Sequence, residues 1–177
     1  MVVNQMFKNM KEQDILNYLP YAKPFLFVDT IESITENSVV GTLKYEQSLD
    51  FYKGHLIDYP ITPGVILIET MAQIGLVCLG IYLMKDKISK NTKVLMSNAN
   101  IDFLKPVFPN EKVTVYSELQ YFRFNKLKCK VTMKNEQSEV VCRGFIEGFV
   151  REFNIVLGHC RATTRIASPY FSWSPVK

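Results

Sequence analysis

A chain of 177 residues, 47% hydrophobic and 21% charged, has room for one domain with a real core and too little for two. Its net charge of +4 is unevenly spread, because Arg161, Arg165 and Lys177 face no acid within residues 154–177 and leave the body close to neutral. That balance excludes the basic stripe of a nucleic-acid binder, and the composition excludes disordered, collagen-like and disulfide-dense classes.

The N-terminal residues turn polar before an apolar stretch can form, so no secretory leader is expected. Residues 11–19 read as a short helix with Ile15, Leu16 and Leu19 on one side, stopped by Pro20. The apolar, β-branched and aromatic run 24–31 reads as a strand, with 37–46 as its partner and the turn-prone 34–37 between them. Residues 62–84 form a long apolar helix, with Thr62 placed to cap it and Pro63 suited to its first position. Its length is that of a membrane span. Glu69, Thr70 and Gln73 interrupt it, however, and Ile74 to Met84 is only half a span. A helix apolar on every face fits the buried core of a sheet protein, and no membrane insertion is expected. Strands follow at 94–107, 111–122, 127–134 and 139–150. The third alternates Leu127, Cys129, Val131 and Met133 with Lys128, Lys130, Thr132 and Lys134, as in a sheet with one wet face. The expected architecture is α+β: one antiparallel sheet wrapped around one central helix over residues 1–153, followed by an irregular tail, 154–177.

The cysteines, Cys78, Cys129, Cys142 and Cys160, form no CxxC pair, and the only histidines are His55 and His159. No metal site is expected, and reduced thiols suit a cytoplasmic protein.

Three residues point to chemistry. Glu69 lies about two turns into the apolar helix; burial of a lone carboxyl favours its neutral form, which a general acid requires. A purely structural Glu bonded to Gln73 or to backbone is the plain alternative. His55 sits in a Gly-, Pro- and Tyr-rich loop just before the helix, where an imidazole can take a proton at cytoplasmic pH. Gly64 opens the helix, where the first N–H groups lack intrahelical acceptors and can polarise a carbonyl. Each has an ordinary structural reading as a loop histidine or a turn glycine. Together they supply a base, an acid and an oxyanion site for removing a proton α to a carbonyl while expelling a β-hydroxyl.

At these residues the sequence resembles the 3-hydroxyacyl-acyl carrier protein dehydratases of the FabZ kind. The matching text is LPYAKPFLFVD (19–29), GHLIDYPITPGVILIETMAQ (54–73) and NANIDFLKPVFPNEKV (98–113). The resemblance covers about residues 14–150. It implies a hot-dog fold, with His55 taking the C2 proton, Glu69 protonating the departing C3 hydroxyl and Gly64 donating to the thioester carbonyl. Gln73 is the supporting residue. It further implies a homodimer or a trimer of dimers, with His and Glu from different subunits meeting at the interface. The acyl chain would arrive on the phosphopantetheine of an acyl carrier protein, without metal or redox cofactor. Two loops depart from the family pattern. Tyr21-Ala22 stands where a His-Arg pair is usual, and Leu56-Ile57-Asp58 where Phe-Pro-Gly is usual. A hot-dog acyl thioesterase or a non-catalytic acyl-binding subunit is the alternative reading.

Overall fold

A computed structural model of the chain describes residues 12–85, 88–89 and 91–153. The alternation read from 127–134 is realised along a strand in which Leu127, Cys129, Val131 and Met133 are fully buried while the lysines between them face outward. In chain order the elements are α1 (Glu12–Leu16), β1 (Thr30–Ile34), β2 (Ser38–Lys44), a 3₁₀ turn (Asp50–Lys53), α2 (Gly64–Leu83), β3 (Thr92–Phe103), β4 (Lys112–Arg123), β5 (Lys126–Asn135) and β6 (Val140–Glu152). The six strands form one antiparallel sheet in the order β1-β2-β4-β5-β6-β3. This is the expected hot-dog arrangement, with α2 on the apolar face of the sheet.

By length and hydropathy α2 could cross a membrane, yet 72% of its apolar window is buried inside the fold. Glycines set how closely it lies on the strands. A Cβ at Gly75 would fall 2.9 Å from Val131 and 3.0 Å from Ser117, so only hydrogen fits there. Around Gly75 the helix widens into a π-helical stretch, Gln73–Cys78, where the Ser117 hydroxyl donates to the Gly75 carbonyl at 2.9 Å. An inserted side-chain donor is a recognised companion of a break in the α ladder.

Three expectations need correction. The run 24–31 is strand only at its last two residues, since β1 begins at Thr30. The Phe27 N–H and the Phe25 carbonyl are bonded by the side chain of Gln73 instead of a neighbouring strand. Thr62 does not cap α2. The cap is Pro63, and the Thr62 hydroxyl is engaged with that of Tyr52 at 2.5 Å. The N-terminal helix is also shorter than expected, ending at Leu16. The expected tail, with His159 and Cys160, lies outside the described residues.

Candidate active site

The loop between the 3₁₀ turn and α2 is tied at several points. Thr62 N–H donates to the Val107 carbonyl at 2.7 Å, and His55 N–H donates to the Phe51 carbonyl at 3.0 Å. Within this frame His55 is half-buried, and its Nδ1 lies 3.0 Å from the Ile61 carbonyl oxygen. A carbonyl only accepts, so Nδ1 carries a hydrogen, and in the neutral ring the lone pair is then on Nε2. That is the tautomer in which the outer nitrogen can receive a proton.

Two residues beyond Thr62, α2 starts at Gly64. Helix geometry leaves the first N–H groups without intrahelical acceptors, at the positive end of the dipole. They border a cavity of about 350 Å³ whose walls include Ile61, Thr62, Gly64, Leu67, Phe103 and Lys105. A Cβ at Gly64 would lie 3.1 Å from the Phe103 ring, so the glycine lets the ring close over the helix end. His55 and Gly64 are thus joined through Ile61, which holds the imidazole and lines the cavity.

Glu69 lies five residues further, about 7.5 Å along the axis. It is not enclosed on all sides as expected. In one chain it is half-buried, and Val65, one turn earlier, is 71% exposed. The apolar surround anticipated for the carboxyl is therefore incomplete in a single chain. Its partner is Gln73, whose Nε2 donates to Glu69 Oε1 at 2.9 Å. Gln73 is fully buried with every amide hydrogen engaged: Oε1 accepts from Phe27 N–H at 2.8 Å, and Nε2 donates to the Phe25 carbonyl at 2.9 Å as well as to Glu69. This network admits one orientation of the amide. It holds Glu69 Oε1 as an acceptor. The structure thus gives Glu69 the bond to Gln73 that its structural reading anticipated.

His55 and Glu69 are held by separate partners, Ile61 and Gln73. Two neighbours were not legible in the sequence as site residues. Phe103 comes from β3, 39 positions away from the glycine it covers. Tyr21, half-buried, tilts against Phe25 with ring centroids 6.3 Å apart. Burial, then the charge of Glu69 and then Cys78, push its phenol up to about 12.

Residues 19–146 match the FabA-like domain family. The 3-hydroxyacyl-[acyl-carrier-protein] dehydratase FabZ of Bacillus licheniformis is 35% identical over 134 residues, 73% of this chain and 88% of the relative. The enzyme of the same name from Acinetobacter baumannii is 35% identical over 111 residues, 62% of this chain and 75% of the relative. Among solved structures, a dehydratase heterocomplex from Xenorhabdus doucetiae superposes with a TM-score of 0.66 at 13% identity, covering 78% of this chain and 91% of that one. A thioesterase from Haemophilus influenzae gives 0.60 at 14% identity, covering 86% and 96%. These last two likenesses establish the fold.

Proposed function

The chain belongs to the FabA-like family, and from that premise we propose that it is a hydro-lyase, removing water from a 3-hydroxyacyl thioester to give the trans-2-enoyl thioester. The observation that carries the reading is the hydrogen bond between His55 Nδ1 and the Ile61 carbonyl, beside a helix start that can hold the thioester carbonyl. The Gly64 N–H polarises the carbonyl and acidifies C2. His55 Nε2 takes the C2 proton, Glu69 gives its proton to the C3 oxygen, and the C3–O bond breaks to release water. Gln73 keeps Glu69 oriented. The mechanism calls for no metal or redox cofactor. The acyl group would be carried on the phosphopantetheine of an acyl carrier protein, the carrier that the names of the relatives include.

The working form is a homodimer, or a trimer of dimers, with His55 of one subunit facing Glu69 of another. Three features support this. β3 is an edge strand of twelve residues. Leu95, Met96, Phe103 and Leu104 on or beside it are each about half exposed. Val65 leaves the Glu69 side of α2 uncovered. An edge of that length with apolar neighbours is a ready template for pairing. Three buried free thiols, Cys78, Cys129 and Cys142, agree with a cytoplasmic setting.

The test is product analysis on a 3-hydroxyacyl thioester. Enoyl absorbance without free thiol supports elimination, whereas free thiol without enoyl product would make the chain a thioesterase. Neither product would favour a non-catalytic acyl-binding subunit.

A further inference from the structure

One group beside the proposed acid has no part in that scheme. Gln73 Nε2 is shared between two acceptors, the Phe25 carbonyl and Glu69 Oε1, each at 2.9 Å. The Phe25 backbone and the Glu69 carboxyl are therefore held by the same amide nitrogen. Tyr21 tilts against the Phe25 ring, 6.3 Å between centroids, and packs on the core cluster, so it belongs to the segment that Gln73 ties to Glu69, and the charge of Glu69 acts on its phenol. We propose that Tyr21 completes the acid half of the site by donating its hydroxyl hydrogen bond to the C3 oxygen of the substrate, holding that oxygen against the Glu69 carboxyl. The proposal rests on the dehydratase reading and adds a residue to it.

The chemistry has a place for such a donor. The C3 oxygen leaves as water and gathers negative charge before the proton arrives from Glu69. With one lone pair turned to the Glu69 carboxyl, a second donor on the other fixes the angle and stabilises that charge. Tyr21 keeps its own proton throughout: Glu69 loses one, the C3–O bond breaks, and water departs. A phenol pushed up to about 12 remains a donor through the neutral and mildly alkaline range. The titratable groups acting on it are Glu69 and the buried Cys78 thiol. Burial also holds that thiol well above its ordinary value, hence neutral.

Tyr21→Phe removes one oxygen and keeps the ring against Phe25. Loss of an oriented donor predicts that kcat falls at least about tenfold while KM stays within about twofold and the thermal midpoint is unchanged. Acting on the same leaving oxygen as Glu69, it should also lose most of its effect in a Glu69→Gln background. Wild-type kcat in Tyr21→Phe would overturn the proposal. So would an equal rate loss in both backgrounds, since that marks a packing role independent of Glu69. If the unaltered chain forms no enoyl product, the dehydratase reading itself has failed. If only Tyr21→Phe is silent, that reading stands and the role of Tyr21 does not.

Discussion

Replacing Gln73 by Leu would strand the Phe27 N–H and the Phe25 carbonyl and free Glu69 from its donor. Leaving a buried group such as the Phe27 N–H unpaired costs about 1–3 kcal/mol, so urea unfolding should show a loss of about 1 kcal/mol or more together with reduced turnover. By contrast, His55→Ala and Glu69→Gln should leave the unfolding midpoint near that of the unaltered chain and cut turnover at least about a hundredfold. Near-normal turnover in either variant would remove the assigned roles. The residue types were legible in the sequence, because a carboxyl and an amide in an otherwise apolar helix have to find partners. Their partners were not legible. Phe25 and Phe27 lie 48 and 46 positions from Gln73, and only the folded chain brings them there. For the same reason the backbone at 24–29 read as strand: its apolar residues signal burial, and the pattern does not say what bonds the peptide groups.

Among the elements, α2 depends on how closely it approaches β4 and β5. Gly75→Val would press a branched side chain into Val131 and Ser117 and break the fit around the π-helical stretch. An over-packed site of this kind costs about 1–3 kcal/mol, readable as a lowered urea midpoint. The helix itself was plain from its composition. The π-helical widening was not, since it reflects the register of the helix against the sheet. On the outer face, Glu147 of β6 bridges Lys126 at 2.7 Å and Lys128 at 3.0 Å, both on β5. Hydrogen bonds from Lys126 and then Lys128 hold its carboxyl down at about 2, against an ordinary value of 4.5. A carboxyl lowered on folding contributes stability above its unfolded value and loses that contribution as the pH falls through its folded one. The difference in melting temperature between the wild type and Glu147→Gln should therefore be full at pH 7 and shrink from about pH 4.5 towards pH 2. A difference independent of pH would mean that the ion pairs do not stabilise the strand pair.

For the whole molecule, the order of helix and strands was enough to anticipate a sheet around a central helix. Assembly is the feature a single chain leaves open. Sedimentation should give twice the chain mass or a multiple of it, and Met96→Asp on the edge strand should shift the protein towards monomer with loss of turnover. A fully active monomer would end the shared-site arrangement. That arrangement is also the central claim, because it requires His55 and Glu69 to act from different subunits. Mixing two inactive variants, His55→Ala and Glu69→Gln, under conditions of subunit exchange tests it most directly. Shared sites predict that the mixture regains up to about a quarter of the unaltered enoyl-forming activity, from mixed dimers in which one of two sites has both groups intact. A mixture that exchanges subunits and stays inactive would contradict the account.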